Sequence, residues 1–222
     1  MAYRYKAVLF DLDGTLLDTL DDITDSINET LKRFHIGRMR KDDVRRLVGN
    51  GVRKLLEEGL ALTGGELLSS VDMLNRLQTE YTAIYGKNSA VKTKPYDGIS
   101  ELLDWLKGED IHTGVLSNKP HQMTLDVLEF YFPSHAFGFA AGQRDGFPRK
   151  PNPAGVYEFC DSLGLSVRDV LFVGDSEVDL ETGRNADIDC IGVLWGFRDE
   201  DTLRGCGAKA LIHSPGELKG FF

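Results

Sequence analysis

The chain has 222 residues and a formal net charge of −9 at pH 7. This acidity argues against nucleic acid or an anionic membrane as the main partner, because both repel a negatively charged surface. No apolar stretch approaches the roughly 20 residues needed to cross a bilayer, and the first residues lack the apolar core of a signal peptide. We therefore expect a cytoplasmic protein with no nucleic-acid or membrane partner.

The first predicted element is a buried strand that ends in two carboxylates. The apolar run at residues 6–10 leads into the sequence DLDGT at residues 11–15. Because side chains alternate along a strand, Asp11 and Asp13 are expected to point the same way. They would lie at the edge where open α/β sheets bind ligands, which is a suitable position for an aspartate nucleophile.

Helical periodicity without a convincing strand marks the next segment, from about Asp18 to Ala90. Apolar residues recur there three or four positions apart. They are Leu20, Ile23, Ile27, Leu31, Phe34, Leu55, Leu56, Leu60, Leu67, Leu74, Leu77 and Tyr81. We predict a helical domain at residues 18–90, inserted into a core formed by residues 1–17 and 91–222. Attachment through two connections suggests a lid.

From Pro95 onward, short apolar runs alternate with amphipathic stretches. The runs predict strands at residues 111–116, 137–140, 170–173 and 190–194. The stretches predict helices at residues 98–107, 120–131, 153–163 and 179–185. This alternation predicts a doubly wound parallel α/β sheet that also contains the first strand.

Two polar loops that follow later strands carry groups suited to an anion. Ser117 lies just before a predicted helix, where its hydroxyl and nearby N–H groups suit a phosphate oxygen. An ordinary capping turn is the alternative interpretation. Lys150 precedes Pro151, which keeps it out of helical geometry. Its ammonium would neutralise charge shared by a carboxylate nucleophile and a phosphoryl group.

The strand predicted at residues 170–173 leads into an acidic loop, GDSEVD at residues 174–179. Asp175 is placed like Asp11, directly after a strand. Carboxylate-rich oxygen sites suit Mg²⁺, which takes one or two protein carboxylates together with water and phosphate oxygens. Asp179 would hold a water ligand or orient Lys150. A capped helix start is the alternative interpretation of these acids.

Together, these four loops resemble the motifs of the haloacid dehalogenase superfamily, at residues 11–15, Ser117, Lys150 and residues 174–179. A helical insertion directly after the first motif resembles the cap of the phosphoglycolate phosphatase and β-phosphoglucomutase branch. The stretches at residues 47–52 and 192–198 look most like phosphoglycolate phosphatases. The resemblance implies a Rossmann-like α/β core with an inserted all-α cap domain.

The resemblance also implies phosphoryl transfer through an aspartyl-phosphate. Asp11 would attack phosphorus, and Asp13 would protonate the leaving alcohol and then deprotonate the water that cleaves the intermediate. Mg²⁺ would be held by Asp11, the backbone carbonyl of Asp13 and Asp175, with Asp179 supporting the metal site. The resemblance further implies that Thr15 orients Asp13. Ser117 and Asn118 would bind phosphate oxygens, and Lys150 would offset the negative charge near the nucleophile.

Substrate choice is expected to depend on the inserted helices, because the core motifs contact only the phosphoryl group. Basic residues are concentrated between positions 38 and 54, among them Arg45 and Arg53. Either arginine, together with the turn at Gly49 and Asn50, would receive a small anionic substrate such as phosphoglycolate.

The function that we infer is a magnesium-dependent phosphatase of a small phosphorylated metabolite. The same core residues would also serve a phosphomutase of the β-phosphoglucomutase type, an inorganic pyrophosphatase, or a nucleotide or sugar phosphatase. After the phosphatases and the phosphomutase, a third class of function is a non-catalytic phosphate-binding protein, since a fold does not guarantee activity. The sequence leaves monomer and homodimer undecided.

Overall fold

The computed structural model describes residues 4–65 and 70–222. The chain divides into two compact units, Met1–Asp18 with Pro95–Phe222, and Thr19–Lys94. Leu67, one of the periodic apolar positions, lies outside the described residues. In the described part of the chain, no helix is long and apolar enough to cross a membrane.

A six-stranded parallel sheet forms the centre of the larger unit. Its strands are β1 (Ala7–Phe10), β4 (His112–Pro120), β5 (Phe139–Gln143), β6 (Val170–Gly174), β7 (Asp189–Val193) and β8 (Ala210–Ile212). The order is β5-β4-β1-β6-β7-β8, and β1 pairs in parallel with both β4 and β6. Later strands are therefore added on both sides of β1, which makes its carboxyl end the switch point where such sheets bind ligands.

Helices and turns flank this sheet. They are α5 (Ile99–Gly108), α6 (His121–Tyr131), α7 (Ala154–Leu163), α8 (Glu177–Ala186) and α9 (Glu200–Gly205), with 3₁₀ turns at Val167–Asp169 and Pro215–Phe221. Along β1, Val8 and Phe10 join one buried apolar cluster while Ala7 and Leu9 join another. Both faces of the strand are thus covered, as in doubly wound sheets. The predicted α/β fold class is confirmed.

Four elements differ markedly from the sequence prediction. The strand predicted at residues 111–116 continues to Pro120, because the polar residues that follow it are buried and not part of an exposed turn. The strand predicted at residues 137–140 is displaced to Phe139–Gln143. Strand β8 and helix α9 were not predicted, since three and six residues are too short to set a clear period.

The smaller unit is helical. It contains α1 (Leu20–Arg33), α2 (Lys41–Leu47), α3 (Val52–Leu62) and α4 (Val71–Asn88). Most of the periodic apolar positions are buried, as an amphipathic helix requires, while Phe34 is half-buried. The buried carboxylate of Asp22 accepts hydrogen bonds from the backbone N–H groups of Val91, Lys92 and Thr93 and from the Thr93 hydroxyl. The end of the unit is thereby fixed to its first helix.

Two short strands, β2 (Leu17–Asp18) and β3 (Lys94–Pro95), pair with each other where the chain passes between the units.

Candidate active site

Three buried carboxylates meet at the carboxyl ends of β1 and β6. Asp11 follows β1 and is held to β6 by a hydrogen bond from its N–H to the Val173 carbonyl (2.9 Å). Carboxylate oxygens of Asp11, Asp175 and Asp179 lie within 4.8 Å of one another. Oxygen-only, carboxylate-rich sites are what hard divalent cations prefer, so this group can hold a metal ion.

The electrostatics of the group favour a bound cation. Burial, followed by the nearby charge of Asp179, raises the pKa of Asp11 to about 7. Burial and the charges of Asp11 and Asp179 raise the pKa of Asp175 well above its ordinary value. Both shifts reflect the cost of placing negative charges close together away from water. A cation among these oxygens would relieve that cost.

The Lys150 ammonium lies inside this acidic group. Its Nζ is 2.7 Å from Asp11 Oδ1 and 2.7 Å from Asp179 Oδ1, and its side chain is buried. Burial opposes the lysine's charge, but the two carboxylates outweigh burial and raise the pKa of Lys150 above its usual value. The Asn118 amide donates a hydrogen bond to the Lys150 carbonyl (3.0 Å). Lys150 is therefore fixed beside the predicted nucleophile.

Asp179 has two functions in the structure. Its Oδ1 contacts Lys150, while its Oδ2 accepts hydrogen bonds from the N–H (3.1 Å) and hydroxyl (2.6 Å) of Ser176. The second set is the capping box that begins α8. The Asp179 carboxylate thus caps a helix and contacts Lys150, while its role in supporting a metal site stays a prediction.

The segment after β7 packs directly on Asp175. The Phe197 N–H donates to Asp175 Oδ2 (2.6 Å), and Trp195 Nε1 donates to the Thr15 carbonyl (3.0 Å). A Cβ at Gly196 would lie 2.3 Å from Asp175 Cβ, and a Cβ at Gly14, where φ is +88°, would lie 2.2 Å from Asp175 Oδ2. Only glycine permits these close approaches. In the sequence, residues 192–198 showed only a resemblance to phosphoglycolate phosphatases, and no contact of residues 195–197 with Asp175 was predicted, since a glycine between aromatic residues is a weak signal.

Asp13 contacts Lys119, a residue with no role predicted from the sequence. Lys119 Nζ donates to Asp13 Oδ1 (2.8 Å) and Oδ2 (3.0 Å), and the lysine is buried. The Asp13 carboxylate is not part of the three-carboxylate group. In the sequence, Lys119 resembled an exposed residue of a capping turn, because two polar residues separate it from the apolar run at residues 111–116.

The expected contact between Thr15 and Asp13 is not formed among the described residues. Thr15 is buried, and its hydroxyl has no hydrogen-bond partner there. Ser117 lies within β4 instead of at a helix start, because α6 begins only at His121. Its hydroxyl accepts a hydrogen bond from the Lys119 N–H (3.2 Å). The phosphate-binding roles of Ser117 and Asn118 stay predictions.

The predicted specificity residues all lie in the helical unit. Arg53 donates to Asn75 Oδ1 (2.9 Å) and pairs with Glu57 (3.3 Å). Arg45 lies in α2, and Gly49 (φ +120°) and Asn50 form the turn between α2 and α3. Their roles in substrate binding also stay predictions.

Comparison with known proteins identifies the family. Residues 8–193 match the haloacid dehalogenase-like hydrolase family. A phosphoglycolate phosphatase of Aquifex aeolicus is 32% identical, covering 86% of each chain. An N-acetylmuramic acid 6-phosphate phosphatase of Pseudomonas aeruginosa is 33% identical, covering 97% of this chain and 93% of the relative. A crystal structure of a predicted phosphoglycolate phosphatase from Haemophilus somnus 129pt has a TM-score of 0.92 at 25% identity and covers 99% of each chain.

The match extends over more than half of the chain and includes Asp11, Ser117, Lys150 and Asp175. The chain therefore belongs to the haloacid dehalogenase-like hydrolase family, and it is an enzyme of the phosphoric monoester hydrolase class.

Proposed function

We propose that this enzyme is a Mg²⁺-dependent phosphatase that hydrolyses a small phosphorylated metabolite of the phosphoglycolate type through an aspartyl-phosphate intermediate. The observation that carries the proposal is the Lys150 ammonium, 2.7 Å from Asp11 Oδ1 inside a group of buried carboxylates. A fixed cation beside a carboxylate nucleophile reduces its repulsion from an anionic phosphoryl group. Relatives named phosphoglycolate phosphatase support the substrate class.

In the first half-reaction, an Asp11 carboxylate oxygen attacks phosphorus and the bond from phosphorus to the ester oxygen breaks. The Asp13 carboxyl gives its proton to the departing oxygen, so the product leaves as a neutral alcohol. Lys150 stays paired with Asp11 and offsets the negative charge that accumulates there. Ser117 and Asn118 would bind the phosphoryl oxygens.

In the second half-reaction, the Asp13 carboxylate takes a proton from a water molecule, and the water oxygen attacks phosphorus. The bond between phosphorus and Asp11 breaks, which releases inorganic phosphate and restores both aspartates. Asp11, the Asp13 backbone carbonyl and Asp175 would hold Mg²⁺, and its charge would screen the repulsion between nucleophile and substrate. Asp179 would support this site through Lys150.

The helical unit, Thr19–Lys94 in the structure and residues 18–90 in the sequence prediction, would act as a cap that selects the substrate. Arg45 and Arg53 supply positive charge to the segment around Gly49 and Asn50, and we assign substrate binding to this segment. A sugar phosphate is the second candidate substrate class. Similarity to an N-acetylmuramic acid 6-phosphate phosphatase over nearly the whole chain favours it.

Phosphate release tests the proposal. The panel contains phosphoglycolate, N-acetylmuramic acid 6-phosphate, glucose 6-phosphate, pyrophosphate and a nucleoside monophosphate, each with Mg²⁺ and with EDTA. Activity should require Mg²⁺, vanish in Asp11→Asn and persist in Asp104→Asn, a matched change on the exposed face of α5. Full activity of Asp11→Asn, or no release from any compound, would contradict the proposal. Conversion that needs a bisphosphate and conserves organic phosphate would identify a mutase.

A further inference from the structure

Lys119 and Asp13 form a bidentate ion pair within the larger unit, which contains the parallel sheet. The ammonium nitrogen lies 2.8 Å from one carboxylate oxygen and 3.0 Å from the other. The exposed fractions of the two side chains are 4% and 12%, so water has little access to replace either partner. Charge-assisted bonds of this kind are short and strong.

This pair obstructs the role that the proposed mechanism gives Asp13. The leaving oxygen must contact an Asp13 carboxyl oxygen, yet Lys119 already donates to both oxygens. Once this carboxyl carries the proton that it gives to the leaving oxygen, its hydroxyl oxygen is a poorer acceptor, so the contact of Lys119 with both oxygens must loosen. A buried ammonium that loses its carboxylate is costly unless another anion replaces it, because burial limits its solvation by water.

The other buried cations at this edge are held elsewhere. Among the described core residues, Lys150 is paired with Asp11 and Asp179, and Arg198 is paired with Glu177 (2.8 Å). Lys119 shares strand β4 with Ser117, which accepts its backbone N–H (3.2 Å). Strand β4 thus carries both Ser117, a candidate for binding the phosphate, and the Lys119 ammonium, so one substrate could contact both.

We propose that Lys119 is a specificity-determining residue that selects substrates with a second anion next to the phosphate ester, and the proposal rests on the phosphatase function above. The substrate's carboxylate takes the ammonium from Asp13 and leaves an Asp13 oxygen free to meet the leaving oxygen. Since Lys119 and the ester oxygen contact the same carboxyl group, the second anion must lie within one or two carbons of that oxygen. Phosphoglycolate meets this condition, whereas a neutral sugar phosphate does not.

The test compares phosphoglycolate with 2-hydroxyethyl phosphate, which has nearly the same size but no carboxylate. Wild-type enzyme should prefer phosphoglycolate by about 100-fold in kcat/KM, the order expected for one buried charge pair. Lys119→Met should remove most of this preference, because KM should rise far more for phosphoglycolate than for the neutral ester.

Two variants serve as controls. Lys107→Met removes the same charge from an exposed position on α5 and should leave the preference unchanged. Lys119→Arg keeps a cation and should retain part of the preference, although its geometry differs. Circular dichroism and thermal unfolding establish that each variant is folded.

Two results would overturn the inference. One is equal use of both esters by the wild type, which decides the question even if Lys119→Met does not fold. The other is an equal loss on both esters in a folded Lys119→Met, as a structural role would produce. Failure of the phosphatase proposal is distinct, because the wild type would then release no phosphate from either compound, or Asp11→Asn would remain active.

Discussion

Lys150 and Asp179 form an ion pair in the interior of the larger unit, with 2.7 Å between Nζ and Oδ1. The exposed fractions of the two side chains are only 2% and 0%. Removing two charges from water is costly, so such a pair is not explained by stability alone. Its effect is positional, because the same ammonium contacts Asp11. Ser176 donates hydrogen bonds to the other Asp179 oxygen. Because Ser176 and Asp179 both lie at the start of α8, this helix start determines where Lys150 points.

Replacing Asp179 by asparagine should therefore impair catalysis through Lys150. The amide keeps the shape but removes one of the two negative charges that fix the ammonium. We expect kcat to fall about 10- to 100-fold, the range for residues that orient a catalytic or metal-binding group. Steady-state phosphate release measures it. Glu181→Gln, a matched change at an exposed position of α8, should have no effect; an unchanged kcat in Asp179→Asn would show that Lys150 needs no such support.

Magnesium should stabilise the folded protein, because the carboxylates of Asp11 and Asp175 are buried beside each other at an energetic cost. A ligand that binds only the folded state at 100 times its Kd adds about 2.7 kcal/mol to the free energy of unfolding. Thermal unfolding in Mg²⁺ and in EDTA, at equal ionic strength, should show a higher Tm with the metal. Asp175→Asn should lose this shift and Asp104→Asn should keep it. Equal shifts in all three proteins would exclude the site.

Gly196→Ala should disturb Asp175 directly. The new methyl group would lie 2.3 Å from Asp175 Cβ and 2.5 Å from the Gly14 carbonyl oxygen, which no rotamer can relieve. Overpacking of this kind destabilises proteins by about 1–3 kcal/mol, and here it should also raise the Mg²⁺ concentration needed for half-maximal activity. Urea unfolding and a magnesium titration measure the two effects. Gly205→Ala, at a position with open space, should change neither; a normal magnesium requirement in Gly196→Ala would contradict the role of this segment.

Much of this site could be predicted from the sequence because its parallel strands are apolar runs that end in polar residues. Asp11 and Asp175 stand directly after such runs, and adjacent parallel strands bring them together. The contact between Lys119 and Asp13 could not be predicted in this way, because the two residues are 106 positions apart in the sequence. That pairing depends on the bulged end of β4, where the register with β5 shifts between Leu116 and Pro120, and no local pattern encodes it.

Two structural features could not be predicted from the sequence because they depend on contacts with distant residues. Strand β8 is only Ala210–Ile212, and it is a strand because β7 offers it a parallel partner. The buried polar end of β4 has the composition of a turn, but its place at the ligand edge gives those residues partners within the protein. In both cases tertiary contacts override local preference.

Tyr5 should ionise only at strongly alkaline pH. Burial, followed by the hydrogen bond from its hydroxyl to Asp189 Oδ2 (2.7 Å), raises its pKa from 10.0 to about 12. The folded protein keeps a proton that the unfolded chain loses near pH 10, so the contribution to stability is complete below pH 10 and disappears as pH rises towards 12. The phenolate absorbance of wild type minus Tyr5→Phe measures this ionisation. Asp189→Asn should lower the midpoint, and a wild-type midpoint near 10 would refute the assignment.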